Sequence, residues 1–238
     1  MTRRRWIADE FSADRAALTG AHAEHLTRVL RARVGQEFDI VTGEAVRRGR
    51  VVSVSQDRVE FELGEDLPAA QSANVTVTML LAIFKFDRME WAIEKCTELG
   101  VARIVPVIAQ RTDSHLAAAA FKRAERWRRI ALQAAEQSRR AHPPEIAAPI
   151  GLKEAAALAG SLRILLAESE QQTQLRDLLG PEAGEVLLAI GPEGGWTQDE
   201  LESFRDAGWI PASLGSTILR AETAAIAAAA ITIAELTG

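Results

Sequence analysis

Four continuous apolar runs, separated by stretches with helical character, most constrain how this chain can fold. The apolar runs lie at 75–83, 102–108, 162–167 and 185–190. Strands that are buried on both faces, as in a parallel sheet covered by helices, produce such runs. The helical stretches lie at 87–99, 119–141, 152–159 and 198–207. From residue 75 onward the sequence therefore predicts an α/β domain with a mostly parallel sheet.

The first 70 residues have a different pattern. One helix is predicted over His22–Arg31, and short runs of alternating polarity follow it: E-F-D-I-V, R-V-V-S-V-S and R-V-E-F-E-L. Such alternation indicates half-buried antiparallel strands. We therefore expect a small β-rich barrel or sheet over residues 1–70. The polar segment Gly64–Asn74 is predicted to link it to a second domain, residues 75–238.

Composition excludes several classes of protein. The net charge is 28 − 33 = −5, which argues against attachment to nucleic acid by overall charge but allows a local basic surface. The single cysteine, Cys96, allows neither an internal disulfide nor a cysteine-based zinc cluster, and no metal site is predicted. The sequence shows no secretory signal and no apolar run of about 20 residues. We expect a soluble cytoplasmic protein.

The helix at 87–99 carries start and stop signals. Asp87 is predicted to cap it, with Glu90 three residues further on, and Gly100 is predicted to end it. One apolar face contains Met89, Ile93, Cys96 and Leu99. Cys96 is therefore predicted to be a core residue.

The segment L-A-I-G-P-E-G-G-W-T-Q-D-E, residues 188–200, joins a strand to a helix through a turn with three glycines. Thr197 and Glu200 are predicted to form a capping box. Ligands of open α/β sheets bind at the carboxyl ends of strands, and glycines let a planar ligand approach the backbone. The spacing matches neither the dinucleotide nor the phosphate-loop pattern. A tight turn without a ligand is the alternative.

A second loop, S-L-G-S-T-I-L-R-A-E-T-A-A-I, covers Ser213 to Ile226. Its charged residues, Arg220 and Glu222, precede an alanine-rich helix. A purely structural interpretation makes Glu222 a partner of the helix dipole and Arg220 a surface or interface ion-pair donor. The alanines predict very close helix packing, with a partner subunit as one candidate.

A basic stretch lies between residues 117 and 144. It carries seven positive and two negative side chains, 7 − 2 = +5: Lys122, Arg123, Arg126, Arg128, Arg129, Arg139 and Arg140 against Glu125 and Glu136. A local basic face fits contact with RNA phosphates. The alternative is a solvated helix face anchored in the core by Trp127.

Both loops resemble those of the bacterial ribosomal RNA small subunit methyltransferase E family, which methylates N3 of a uridine and belongs to the knotted SPOUT methyltransferases. The resemblance covers nearly the whole chain and also includes H-L-T-R-V-L-R, D-R-M-E-W-A-I-E-K-C-T-E-L-G-V at 87–101 and R-W-R-R-I-A-L-Q-A-A-E-Q-S-R-R at 126–140. Phe86 departs from the family, which usually has glycine there, and this affects the entry to the first helix.

The resemblance implies an architecture and a methyl donor. It implies a PUA-like RNA-binding barrel over 1–70, a trefoil knot within 75–238, and a homodimer formed through the alanine-rich helix. S-adenosylmethionine would be bound by Leu166, Ile190, Gly191, Pro192, Glu193, Gly194, Gly195, Leu214, Gly215, Ile218, Leu219 and Ala224. Glu168 is a further candidate, as an acceptor for the ribose hydroxyls.

The resemblance also implies RNA contacts and catalytic roles. Uracil N3 carries a proton at neutral pH, so a group must accept it or stabilise the resulting anion. Arg220 is the candidate for stabilising that charge or holding a phosphate, and Glu222 is the candidate base or a partner of Arg220. RNA of the assembled small ribosomal subunit would be held by Arg3, Arg4, Arg5, Lys122, Arg123, Arg139 and Arg140. Gln137, Ser138 and Arg140 match the family's Q-S-x-R, which either lines the target pocket or pairs within the helix end.

Three other functions stay open from sequence alone. The first is another SPOUT methyltransferase that acts on transfer RNA or a different ribosomal position. The second is a non-catalytic RNA-binding ribosome-assembly factor, which needs the basic stretch but not the glycine turn. The third is a nucleotide-dependent oxidoreductase, which the absence of the dinucleotide pattern disfavours.

Overall fold

The computed structural model describes residues 5–43, 45–67, 76–180 and 184–237. The chain divides into two compact units. The first unit comprises Met1–Ser72 and Ala135–His142, and the second comprises Ala73–Ala134 and Pro143–Gly238. A short segment from the middle of the chain therefore belongs with the N-terminal residues, which sequence patterning did not predict.

The first unit is built on a mixed sheet. Its elements are β1 (Arg5–Ile7), β2 (Glu10–Phe11), β3 (Arg15–Thr19), α1 (Gly20–Glu24), a π-helical turn (His25–Val29), β4 (Glu37–Thr42), β5 (Ala45–Val54) and β6 (Arg58–Leu67). The strand order is β1-β4-β5-β6-β3-β2. Among the described strands of this sheet, β1 and β4 form the only parallel pair.

Two boundaries predicted for this part of the chain were wrong. The helix predicted over His22–Arg31 ends its α-helical part at Glu24 and continues as the π-helical turn. The first residues of the predicted linker, Gly64–Leu67, belong to β6 because they continue its pairing with β5. The remainder of that linker, residues 68–74, lies outside the described residues.

Apolar residues alternate with polar ones along the strands of the first unit, and the apolar side chains form its core. Val59, Phe61 and Leu63 of β6 are buried on one face of the sheet. Gly49 of β5 lies where a Cβ atom would come within 2.4 Å of Ile40 Cγ1, so the close packing of the sheet requires glycine there.

Specific contacts attach the segment Ala135–His142 to this unit. Nη1 of Arg5 donates to the carbonyl of Arg139, and burial lowers the pKa of the Arg5 guanidinium. His22 lies between two carboxylates, with Nδ1 3.0 Å from Asp9 Oδ1 and Nε2 3.6 Å from Glu136 Oε1. These long-range contacts explain why the segment clusters with β1 and α1.

The second unit contains the remaining elements. They are β7 (Thr76–Ala82), α2 (Phe86–Leu99), β8 (Arg103–Ile108), α3 (Ser114–Gln137), β9 (Glu145–Ile146), β10 (Ile150–Gly151), α4 (Leu152–Ala156), β11 (Leu162–Leu166), α5 (Leu175–Leu178), β12 (Glu185–Ile190), α6 (Gln198–Asp206), β13 (Ile210–Ala212) and α7 (Ala221–Thr237). The last three residues of α3 belong to the first unit.

Every described strand pair of the second sheet is parallel, which confirms the predicted mostly parallel sheet. The order is β10-β8-β7-β12-β11-β13, with β9 also paired to β8. The four predicted apolar runs correspond to β7, β8, β11 and β12 within one residue at each end. The two-residue strands and β13 were not predicted.

Helices cover both faces of this sheet. Met79 and Leu81 of β7 belong to one buried cluster, shared with α2, α3 and α7. Leu80 and Ala82 belong to a second cluster, shared with α4 and α6. Because successive residues of a strand point to opposite faces, both faces must be apolar, which explains the continuous apolar runs.

Helix α2 differs from its prediction only at its start. It begins at Phe86, and its N-cap is Lys85, which makes no side-chain capping bond, so the predicted Asp87 cap was wrong. The Phe86 ring packs edge-to-face against Trp127 with 5.8 Å between the ring centroids. This contact stabilises Phe86 as the first residue of the helix. Gly100 ends the helix at φ 115°, and Cys96 is fully buried, both as predicted.

Helix α5 was not predicted, and the other helices differ from their predictions mainly in length. Helix α3 starts at Ser114 rather than 119 and ends at Gln137, and α4 ends at Ala156 rather than 159. Helix α7 is alanine-rich as expected and packs against α2 and β7. None of the described helices is both long enough and apolar enough to cross a membrane.

Candidate functional site

A cavity of about 400 Å³ opens in the second unit where β11, β12 and β13 end. Its walls come from the ends of these strands, from the glycine turn 191–196, from the loop 213–219 and from Arg111. Crevices at the carboxyl ends of parallel strands are where open α/β sheets bind ligands. The volume falls in the range of small-molecule sites.

The predicted donor-binding residues gather around this cavity. All of them line it except Gly194. Glu168 also lines it, as do Trp196, Gln198 and Ser213, which sequence reasoning did not select. Their roles in binding stay predictions, but the two loops, separated in sequence by the sixteen residues 197–212, line one cavity.

Backbone and side-chain bonds fix the glycine turn. The Gly195 amide donates to the Pro192 carbonyl at 2.8 Å, and Gly195 has φ +70°. The predicted capping box is confirmed: the Glu200 amide donates to the Thr197 hydroxyl, and Glu200 Oε2 accepts from the Thr197 amide at 2.8 Å. The turn therefore passes directly into α6 with its first amides satisfied.

Trp196 ties this turn to the neighbouring strand. Its indole nitrogen donates to the Leu166 carbonyl at 3.2 Å, and its ring packs edge-to-face on Phe204 at 5.2 Å. A Cβ atom at Gly191 would lie 3.2 Å from the indole nitrogen, so glycine gives the ring room. In the sequence, the position of Trp196 directly after the glycines of G-P-E-G-G-W was the feature that could have predicted this contact.

The second loop presents apolar side chains at the cavity. The Ser213 amide donates to the Thr173 carbonyl and the Ser213 carbonyl accepts from the Leu175 amide, both at 2.9 Å. Ile218 is 80% exposed, which is unusual for a large aliphatic residue, and it lines the cavity beside Leu219. Small-molecule sites are commonly lined by apolar side chains such as these.

The two proposed catalytic residues, Arg220 and Glu222, do not form an ion pair with each other. Arg220 is exposed, and no side-chain partner is found for it among the described residues. Glu222 is only 4% exposed, and its Oε1 lies 3.7 Å from Nε of Arg88. Its Oε2 is buried without a hydrogen-bond partner. Neither Arg220 nor Glu222 lines the cavity wall.

Arg88 of α2 was missed by sequence reasoning. Its Nη1 lies 2.6 Å from Glu193 Oε1, a residue of the glycine turn, while its Nε faces Glu222. One guanidinium thus connects the turn to the start of α7. Arg88 is 105 residues from Glu193 in sequence, so only the tertiary structure reveals this contact.

The loop after β8 also reaches the site. Glu200, fully buried, accepts the Gln110 amide at 2.7 Å with its Oε1. The neighbouring residue, Arg111, lines the cavity and donates from Nη1 to the Gly194 carbonyl. The carboxylate that caps α6 therefore also holds this loop against the glycine turn.

Several arginines of the predicted basic face are paired within the second unit. Glu90 lies 3.0 Å from Arg123 Nε and accepts two hydrogen bonds from Arg126, at 2.7 and 2.9 Å. These guanidinium groups, with Arg126 the strongest contributor, lower the pKa of Glu90. Arg128 donates to the Ile146 carbonyl at 3.2 Å. Lys122 is exposed.

Other predicted RNA-binding residues fall in the first unit. Arg5 is engaged with the Arg139 carbonyl, and burial lowers the pKa of Arg140. Ser138, in the Q-S-x-R segment, donates to the Ala135 carbonyl at 3.3 Å. Arg3 and Arg4 lie outside the described residues.

An open, parallel α/β sheet with a glycine-lined cavity at its carboxyl edge is the framework of a small-molecule-binding enzyme domain. A family model for the RNA methyltransferase domain matches residues 71–233. A relative named ribosomal RNA small subunit methyltransferase E is 34% identical to this chain over 69% of the relative's length, and the chain belongs to that family, as its motifs predicted.

Three relatives illustrate the similarity. The ribosomal RNA small subunit methyltransferase E of Synechocystis sp. is 34% identical over 213 residues, which are 87% of this chain and 69% of the relative. The Legionella pneumophila methyltransferase Lpg2936, solved with the cofactor SAM, is 28% identical with a TM-score of 0.89 and 98% of each chain covered. The Neisseria gonorrhoeae methyltransferase E, solved with S-adenosyl methionine, is 30% identical with a TM-score of 0.87 and 96% of each chain covered.

Proposed function

We propose that this protein transfers a methyl group from S-adenosylmethionine to N3 of a uridine in the RNA of the small ribosomal subunit. The observation that carries the proposal is that the G-P-E-G-G-W turn and the S-L-G-S-T-I-L loop line the same cavity. The chain belongs to a family named for methylation of small-subunit ribosomal RNA, and two structural relatives were solved with this donor.

The residues around the cavity fit the methyl donor. At Gly195 a Cβ atom would lie 3.2 Å from Glu168 Oε1 and would require a strained backbone at φ +70°, so glycine keeps this wall open. Leu214, Ile218 and Leu219 offer apolar contact to an adenine ring. Glu168 is exposed at the wall and can accept hydrogen bonds from ribose hydroxyls.

The donor supplies an activated methyl group on a sulfonium. The protein then has to align the acceptor nitrogen and manage its proton. We assign Arg220, an exposed cation before α7, to the charge that develops on the uracil oxygens or to a phosphate. We assign Glu222 as the base, because its Oε2 is a buried acceptor without a hydrogen-bond partner.

The finer architecture is part of the same proposal. The second unit forms the family's trefoil knot, and the first unit is a PUA-like barrel that binds RNA. Two copies associate through α7, whose Ala227 and Ala230 are only partly buried within one chain. Because the substrate is a ribosomal subunit, the protein acts in the cytoplasm.

RNA is held by basic residues of both units. We assign this role to Lys122 and Arg123 of α3, to Arg139 and Arg140 after it, and to Arg3, Arg4 and Arg5 at the N-terminus. Phosphate contacts of this kind position the RNA without reading its sequence.

Methyl transfer from labelled S-adenosylmethionine to small ribosomal subunits that lack the modification tests the function directly. Nucleoside mass spectrometry is expected to find 3-methyluridine. A different methylated nucleoside would keep the donor and overturn the target. Donor binding without transfer to this substrate would point to another RNA, and absence of donor binding would overturn the proposal.

A further inference from the structure

Arg111 is a charged residue of the cavity wall that neither the sequence motifs nor the proposed chemistry uses. It follows β8, whereas the glycine turn follows β12. Its side chain is nevertheless part of the same wall as Glu168 and Gly195.

The surroundings of Arg111 hold its side chain in one place. Nη1 donates to the Gly194 carbonyl, and Glu200 fixes the preceding residue, Gln110, through its amide. A Cβ atom at Gly194 would lie 3.2 Å from Arg111 Cδ and 3.6 Å from Arg111 Cβ. Gly194 therefore makes room for the arginine stem.

Arg111 is in no ion pair within the described part of the chain, although Glu168 and Glu193 line the same cavity. No carboxylate lies within ion-pairing distance of its guanidinium among the described residues, in contrast to Arg88, Arg123 and Arg126. Arg111 is exposed, and its hydrogen bond to Gly194 uses one of five N–H donors. The other donors are available at the cavity, where a guanidinium binds planar oxyanions in a bidentate manner.

We propose that Arg111 is an anion-binding residue of this site, whose guanidinium binds a carboxylate or phosphate oxygen of a reactant at the cavity mouth. This proposal rests on the proposed function, since the two reactants of that reaction carry such oxygens: the carboxylate of the methyl donor and the phosphates of the RNA strand. Glu200 and Gly194 are positioning residues for Arg111.

Two variants and a control test the proposal. Arg111→Gln removes the charge and keeps a donor for the Gly194 carbonyl, whereas Arg111→Lys keeps the charge. Arg176→Gln, on an α5 side chain that is 66% exposed, is the matched control. Calorimetry measures the binding of S-adenosylmethionine and of 5′-methylthioadenosine, which lacks the carboxylate. Filter binding at several salt concentrations measures affinity for small ribosomal subunits.

Each source of the oxyanion gives a distinct result. If the donor carboxylate is bound, Arg111→Gln weakens S-adenosylmethionine binding on the order of tenfold and leaves 5′-methylthioadenosine unchanged. If an RNA phosphate is bound, both nucleosides bind normally, affinity for subunits falls, and the salt slope decreases by about one. In either case Arg111→Lys recovers part of the loss, and Arg176→Gln binds like the wild type.

Two results would overturn the assignment. Equal weakening of S-adenosylmethionine and 5′-methylthioadenosine would mean that Arg111 only shapes the glycine turn. Unchanged binding of both nucleosides and of subunits would mean that it binds no reactant. A wild-type protein that transfers no methyl group would overturn the proposed function. The role of Arg111 is decided separately, because each of these experiments measures binding and not methyl transfer.

Discussion

Arg88 shows how one side chain connects parts of the site that are distant in sequence. Its guanidinium contacts Glu193 in the glycine turn and faces Glu222 at the start of α7. Glu222 is almost fully buried and has no other cation within ion-pairing distance among the described residues. Removing Arg88 therefore leaves a buried carboxylate without a counter-charge.

Arg88→Ala is expected to destabilise the protein by about 1–3 kcal/mol and to reduce methyl transfer. The double variant Arg88→Ala, Glu222→Gln should recover much of the stability, because it no longer buries an unpaired charge. Urea unfolding of both variants and of Arg88→Lys measures these effects. Equal stability of Arg88→Ala and the wild type would show that the pair contributes nothing.

Gly195 offers a test of the donor site with a small change. Gly195→Ala adds one methyl group at φ +70°, where its Cβ atom would lie 3.2 Å from Glu168 Oε1. We expect donor affinity to fall at least tenfold while the protein stays folded. Gly180→Ala, where a Cβ atom meets nothing within 4 Å, is the matched control in calorimetry. Normal donor affinity of Gly195→Ala would contradict the assignment of this turn.

Cys96 makes stability depend on pH in the alkaline range. Burial raises the pKa of its thiol from an ordinary value near 9 to about 12. Above pH 9 the unfolded chain loses this proton while the folded chain keeps it, so the contribution to stability is complete below pH 9 and is lost as pH rises toward 12.

Urea unfolding between pH 8 and pH 10.5 measures this dependence. The wild type should lose stability relative to Cys96→Ala by about 1.4 kcal/mol per pH unit above pH 9. Cys96 should also resist thiol reagents in the folded protein at pH 8. Parallel pH profiles of the two proteins would contradict the prediction.

At the scale of elements, helices α2 and α3 pack with an ion pair at their surface. Glu90 of α2 accepts from Arg126 of α3 and lies beside Arg123. The positive charge counted along α3 is thus partly neutralised by a neighbouring helix. The charge of a stretch of sequence is not the charge of the surface it forms, because elements distant in sequence add their own side chains.

This pairing predicts unequal contributions from α3 to RNA binding. Lys122→Ala should weaken binding to small ribosomal subunits and reduce the salt slope by about one. Arg126→Ala should have a smaller effect, because that guanidinium already pairs with Glu90. Filter binding over a salt series compares the two variants. A larger loss for Arg126→Ala would show that RNA displaces Glu90.

At the scale of the whole molecule, association through α7 is the proposed arrangement. Light scattering at micromolar concentration should give about twice the chain mass of 25.8 kDa. Ala227→Arg, on a partly buried position of α7, should shift this mass toward one chain. A mass of one chain for the wild type would contradict the dimer.

The sequence alone determined the family, the four long strands and the main helices of the second unit. Its four apolar runs became β7, β8, β11 and β12, and the Thr197–Glu200 box and the Gly100 stop formed as expected. These features depend on periodicity and on contacts within a few residues, which are local properties of the chain. The order of the motifs along the chain was sufficient to recognise the family, because this order is read from the sequence without knowledge of the tertiary structure.

Only the tertiary structure decided which side chains meet. It joined Arg88 to Glu193 and Glu222, Glu200 to Gln110, Arg111 to Gly194, and Glu90 to the arginines of α3. It also placed residues 135–142 with the first unit and moved the start of α2 to Phe86, whose ring packs on Trp127. Each outcome depends on packing between residues that are far apart in sequence, which no local pattern encodes.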